Sequence, residues 1–210
     1  MNYLFDNFSH VASLTKDHVV LALLPLFIGL AIAIPVGTLV RTVPWLRRGT
    51  VIVASVAYTV PSLALLVIIP PAVGITTIDP LNVVITLSVY STALLVIAVP
   101  AALDSVPASV VDSAEALGYT TARRALTVEM PLAVPVFISS LRVVVVTNLS
   151  MVSVGALIGQ GALGKLFTQG YQRDYPDEIF AGIIVTLLLA LIFDRIVYVL
   201  GRIATPWVAQ

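Results

Sequence analysis

Five stretches of the chain, at about residues 19–40, 50–71, 81–101, 132–154 and 178–200, are apolar and almost free of charge. Each is long enough for an α-helix to cross a hydrocarbon core about 30 Å thick. No other feature restricts the fold as strongly, because lipid offers no partner to backbone N–H and C=O groups and a spanning segment must satisfy them internally. Only 10% of the 210 residues are charged and the mean hydropathy is +1.06, against about 25% charged in soluble domains. The sequence therefore predicts an all-α integral membrane protein with five transmembrane helices. Residues 1–18 are too polar to span and read as an external or interfacial leader, 19–200 as a single transmembrane domain and 201–210 as a tail. The leader has no basic region before the first apolar run, so a cleaved signal peptide is not expected and the first span stays in the mature protein. Pro25, Pro35, Pro61 and Pro135 fall inside runs, where each removes a backbone donor and favours a kink or a break.

Basic residues set the orientation. Arg41, Arg47 and Arg48 lie between the first two runs, Arg123 and Arg124 follow the third, and Arg195 and Arg202 lie near the C-terminus, whereas the other side holds only Lys16, Lys165 and Arg173. With five crossings, the seven arginines share the cytoplasmic side, which puts the N-terminus outside and the C-terminus in the cytoplasm. The loop 102–131 is then cytoplasmic and the Gly-rich segment 155–176 external. A formal net charge of zero argues against a nucleic-acid partner. There is no cysteine and no Ser/His/Asp or Cys/His set, and His10 and His18 both fall in the leader, so no catalytic residue, cofactor or metal is expected.

The loop 102–131 separates two apolar halves. From Ser109 to Arg124 it can form a helix, with Asp112, Glu115 and Ala116 on one side and Val110, Ala114 and Leu117 on another. Small Ala114, Ala116 and Gly118 allow a partner to approach, and Gly118 suits a sharp exit. The order is an acid at Asp112, then Ser113 and Ala114, a glycine six residues after the acid, and, after nine intervening residues, Val128, Met130 and Pro131. This order resembles the EAA motif of the membrane subunits of ABC importers, with Asp112 where the pattern has Glu and Ser113 where it has Ala. The resemblance implies a cytoplasmic helix that docks on an ATPase subunit, with Asp112, Ser113, Ala114, Glu115, Ala116, Gly118 and Pro131 as the coupling residues.

Three further segments narrow the likeness. Thr59 to Leu66 (TVPSLALL), Glu129 to Pro135 (EMPLAVP) and Gly155 to Leu166 (GALIGQGALGKL) resemble, in order, segments of the permeases for glycine betaine, carnitine, choline and proline betaine. The likeness implies a type I importer fold like that of the methionine importers and a compatible solute as cargo. It also implies two ATPase subunits, a second permease that is a copy or a paralogue, and an extracytoplasmic solute-binding protein. Methionine or another small amino acid is the alternative cargo. The more distant rival is a self-sufficient secondary transporter or channel subunit, which leaves the Asp112 to Pro131 spacing unexplained. Gly159, Gly164 and Lys165 match part of a phosphate-binding loop, but Leu166 stands where Ser or Thr must hold Mg²⁺. Tight turns and close helix packing account for these glycines instead.

Candidate pathway residues follow from the interrupted runs. Tyr58, Pro61 and Ser62 lie where a broken helix exposes backbone carbonyls and an aromatic ring, with helix packing as the other reading of Tyr58. Asn148 and Ser150 either line a path or bond to a neighbouring helix. Arg142 lies deep in the fourth run, where a charge faces protein or water, and Asp194 in the fifth is its candidate partner, either as a structural pair or in gating.

Overall fold

The structure is a computed structural model describing residues 2–208. Among them there is no strand. The helices are α1 (Asn2–Asp6), α2 (Phe8–Arg41), α3 (Pro44–Thr59), α4 (Ser62–Val73), α5 (Pro80–Asp104), α6 (Ala108–Ala116), α7 (Thr121–Arg124), α8 (Met130–Val152), α9 (Gly164–Gln172) and α10 (Pro176–Ala204). A π-helical turn, Ala125–Glu129, joins α7 to α8, and 3₁₀ turns cover Ser153–Ile158 and Pro206–Val208. Helix starts follow local chemistry. α3, α5 and α10 open on Pro44, Pro80 and Pro176, whose fixed φ suits the first turn. Asp79 caps α5 by accepting from the Leu81 N–H at 2.9 Å.

Four helical stretches are long and apolar enough to cross a membrane: Phe8–Arg41, Pro80–Asp104, Thr121–Ile158 and Pro176–Ala204. The pair α3 and α4, bent by 102°, makes a fifth passage if taken as one span. The run at 50–71 is broken, as Pro61 led one to expect. Pro61 supplies no N–H and holds Val60 in the extended region at φ −63°, ψ 129°, so the helix must stop there.

Residues 2–6 and 8–18 are helical and pack on the bundle. Residues 8–18 continue into the first apolar run as one 34-residue helix, about 51 Å long and thus longer than a hydrocarbon core. His18 is fully buried on this helix, its Nε2–H donating to the Leu149 carbonyl at 2.8 Å. Before it, α1 packs on α10, and the Tyr3 hydroxyl donates to Glu178 at 3.1 Å. Burial, together with that carboxylate, pushes the Tyr3 phenol above its usual pKa. At the other terminus α10 runs to Ala204, so the expected tail at 201–210 begins inside a helix. Its last two residues lie outside the described ones.

α5 is the central helix, with Val83, Leu87, Tyr90 and Leu95 among its buried residues. α2 lies parallel to it: Gly29 meets Ser91, and Gly37 meets Val99. A Cβ at Gly29 would stand 2.6 Å from the Ser91 Cβ and 3.0 Å from its carbonyl carbon, so the two backbones approach only because glycine is there. Lipid tails are as apolar as leucine, so close packing and interhelical hydrogen bonds hold such helices together rather than the hydrophobic effect. Asn148 of α8 provides both, its Nδ2 donating to the Ala22 carbonyl at 3.1 Å and to Ser91 Oγ at 2.8 Å. Each such bond contributes about 0.6 kcal/mol in membrane proteins. α8 runs antiparallel to α2, and α10 antiparallel to α8, with Gly201 against Ile138 and Asp194 against Arg142. Successive passages therefore alternate in direction, and the C-terminal ends of α2, α5 and α10 gather with the first turns of α3 and α8 at one arginine-bearing end.

Candidate coupling loop and transport pathway

At the arginine-bearing end, the segment expected to be one helix from Ser109 to Arg124 is two. α6 stops at Ala116 and α7 starts at Thr121. The stop is a Schellman turn: the Gly118 N–H bonds to the Glu115 carbonyl at 2.9 Å and the Tyr119 N–H to the Ala114 carbonyl at 3.1 Å. Gly118 has φ +79°, a conformation glycine adopts freely and other residues adopt at a cost of about 1–2 kcal/mol. Ala114 is the buried residue of α6. Asp112, Ser113, Glu115, Ala116 and Gly118 are exposed, as is Leu117, 78% open. The loop thus presents a short helix with a carboxylate, small side chains and one apolar residue outward.

Behind this face lies a set of ion pairs. Glu129, in the π-helical turn, is 1% exposed. It accepts from Arg124 Nε at 2.7 Å and from Arg41 at the end of α2. Arg124 also pairs with Glu115 of α6. Arg41 bonds Asp104 at the end of α5 at 3.0 Å, and Asp104 bonds Arg47 of α3 at 2.7 Å. Pro131 follows directly. It has no N–H to return to Thr127, and just before it the helix widens so that the Met130 N–H reaches the Ala125 carbonyl.

The pathway candidates lie in three places. Tyr58 and Pro61 are exposed and Ser62 half-exposed at the α3–α4 break. The carbonyl of Val60, which the break leaves without a helical partner, accepts from the Tyr90 hydroxyl, and the Tyr58 and Tyr90 rings meet edge to face at 5.8 Å. Asn148 is 1% exposed and its amide is committed to α2 and α5, an interhelical packing role. Ser150 is exposed. Arg142 grips Asp194 with two bonds, Nε to Oδ1 and Nη2 to Oδ2, both 2.7 Å, and its guanidinium lies 5.3 Å from the Tyr198 ring one turn further along α10. Among the described residues no three His, Cys, Asp or Glu side chains gather where a metal could be held.

Sequence reasoning missed Glu129, Arg41 and Tyr90. Glu129 had a signal, an acid placed just ahead of an apolar run that begins at Pro131 and thus needing a cation close by. Tyr90 had none, since nothing in the run 81–101 marks which carbonyl its hydroxyl meets.

Residues 26–205 match the family model described as the inner membrane component of binding-protein-dependent transport systems. An osmoprotectant import permease protein of Salmonella typhimurium is 31% identical over 98% of this chain and 97% of its own length. A choline transport system permease protein of Bacillus subtilis is 25% identical, covering 98% and 94%. A carnitine transport permease protein of Listeria monocytogenes is 29% identical, covering 90% and 84%. Among solved structures, a chain of the MetNI methionine ABC transporter in an inward-facing form superposes with a TM-score of 0.78 at 22% identity, covering 98% of this chain and 99% of that one. The fold is therefore that of an ABC importer permease, and the chain belongs to the inner membrane components of binding-protein-dependent transport systems, as a multi-pass permease subunit and not an enzyme.

Proposed function

We propose that this permease imports a quaternary ammonium osmoprotectant of the glycine betaine, choline, carnitine or proline betaine class. It works beside a second permease subunit, with two cytoplasmic ATPase subunits and an extracytoplasmic binding protein. The observation that carries the reading is the full-length similarity to permeases named for osmoprotectant and choline transport. The α3–α4 break adds a physical motive. A permanently charged cation without donors gains from aromatic faces and carbonyls rather than from donors, and the break offers the exposed Tyr58 ring. Asp194, the acid deep in α10, is already neutralised by Arg142 and does not trap a cation.

Uptake into proteoliposomes holding the full complex and its binding protein tests the substrate class. Labelled betaine or choline is expected to accumulate only with ATP, with unlabelled betaine competing and methionine not. Tyr58→Ala is expected to assemble normally and take up less. Competition by methionine but not by betaine overturns the osmoprotectant reading in favour of an amino acid, a possibility in keeping with the fold likeness to the methionine transporter.

The orientation belongs to the same proposal: α6 in the cytoplasm, the C-terminus with it and the N-terminus outside. Gathering of α2, α5 and α10 C-termini at one end agrees with the arginine count. With no native cysteine to interfere, Thr121→Cys, on an exposed position, is expected to react with an impermeant thiol reagent only from the cytoplasm. Gln172→Cys, exposed at the end of α9, is expected to react only from outside. Labelling of both from one face removes the five-crossing orientation.

A further inference from the structure

We propose that Glu129 is a positioning residue for transport: the buried joint of an ionic relay that carries displacement of α6 to the ends of α2 and α5 and to the broken helix α3. The inference rests on the reading of α6 as the ATPase-docking helix.

A carboxylate taken out of water is costly unless charged donors replace the lost solvation. Glu129 has two, and they come from opposite parts of the chain: Arg124, five residues before it, and Arg41, 88 residues before it. Each arginine then uses its remaining donors on a second carboxylate. Arg124 reaches Glu115 on the docking helix. Arg41 reaches Asp104 at the end of α5 and the neighbouring Leu103 carbonyl at 3.2 Å, and Asp104 in turn holds Arg47 in the first turns of α3. Acid and base alternate without interruption from Glu115 to Arg47, so the series is neutral and each inner member has a counter-charge on both sides.

Otherwise α6 is held loosely. It is nine residues long with one buried side chain, Ala114. Its apolar contact with the bundle is a small cluster that Val110 and Val111 only partly enter. A helix seated this lightly slides over its apolar contact when pushed, since such contacts have no direction. A charged hydrogen bond from a planar guanidinium does have one, and because Arg124 spends one N–H on Glu115 and another on Glu129, a shift at Glu115 must be followed by Arg124 or break the bond. Since Glu129 has no water to fall back on, both arginines must move with it. The far end of the relay is α3, which ends at the Val60–Pro61 break and carries Tyr58. Docking helix and pathway candidates are thereby joined through charge rather than through continuous packing.

Glu129→Gln keeps the shape, removes the charge and points an amide donor at two cations. The complex is reconstituted with its ATPase and binding protein, and spin labels are placed at Leu117→Cys on α6 and Thr59→Cys at the break, both exposed positions. The unsubstituted relay is expected to move both labels when ATP is trapped. In Glu129→Gln the complex is expected to assemble and the α6 label still to respond, while the Thr59 label stays in its resting distribution. The solute carried per ATP is expected to fall by about tenfold or more, which corresponds to a coupling of about 1.4 kcal/mol or more. Glu129→Asp is expected to restore part of it. If Glu129→Gln does not assemble, Arg41→Lys decides: it keeps the charge but loses the fork that holds Glu129 and Asp104 together, and is expected to uncouple in the same sense. Normal solute per ATP, or a normal response at Thr59, in whichever of the two variants assembles overturns the relay. Failure of the Leu117 label to respond to the ATPase in the unsubstituted protein is a different result, since it removes α6 docking itself.

Discussion

Asp194→Ala is expected to deplete the membrane of folded protein, with most of the chain lost to proteolysis or to aggregation on detergent extraction, while Arg142→Leu/Asp194→Leu recovers it. Arg142 lies near the middle of α8, and Asp194 meets it from α10, ten residues before that helix ends at Ala204. Their bonds are two parallel guanidinium–carboxylate contacts of 2.7 Å. Removing Asp194 leaves Arg142 with a single favourable neighbour, the Tyr198 ring, at a depth where an unpaired cation is strongly disfavoured. Removing both charges abolishes that cost, and replacing an ion pair by apolar side chains of similar volume is often neutral or stabilising. Yield from size-exclusion chromatography of the single and double variants measures the first point. Uptake by the double variant measures the second, because a purely structural pair leaves transport intact when replaced as a unit, whereas a pair that gates or passes solute does not. An Asp194→Ala protein as abundant and monodisperse as the unsubstituted one would falsify the structural role.

The sequence reading succeeded where a property is local and went astray where it depends on partners. Long apolar runs report helices because lipid leaves the backbone no alternative, whereas the starts at Pro44, Pro80 and Pro176, which their fixed φ favours, were not read. The interruption at Pro61 was legible from its missing N–H, though not its 102° bend, which requires Tyr90 of α5 to satisfy the Val60 carbonyl. The packing of the leader was not legible because hydropathy counts His18 as polar, yet its imidazole is buried against a carbonyl 131 residues away. In the coupling loop the spacing from Asp112 to Pro131 was visible. Gly118 was legible as a sharp exit, and a Schellman turn ends α6 there; the separate helix α7 was not legible, since one helix was expected as far as Arg124. Glu129 shows the limit most sharply: it belongs to a recognisable segment, but its function as proposed depends on Arg41, which no local pattern connects to it.

Gly118→Leu is expected to leave the permease folded and in the membrane while lowering solute-stimulated ATP hydrolysis and uptake together by about tenfold or more, the effect of about 1.4 kcal/mol at a docking contact. Two physical effects enter, and a series separates them. The backbone there has φ +79°, so any L side chain strains the turn that ends α6, yet a Cβ would meet nothing within 4 Å. Gly118→Ala therefore tests strain with little added bulk, at a cost of about 1–2 kcal/mol in the turn alone. Gly118→Asn tests modest bulk with little strain, because asparagine enters this region more readily. Gly118→Leu adds a branched side chain to a face where Ala116 and Gly118 are the small groups beside exposed Leu117. If an ATPase subunit closes over that face, loss of stimulation should follow side-chain size, with leucine worst and asparagine worse than alanine. If only the turn matters, asparagine should be nearly normal and alanine and leucine should be alike. Stimulated hydrolysis and uptake at the unsubstituted level in Gly118→Leu, with the complex assembled, would remove α6 as the docking element and would leave the fold, the ion pairs and the break at Pro61 as they are.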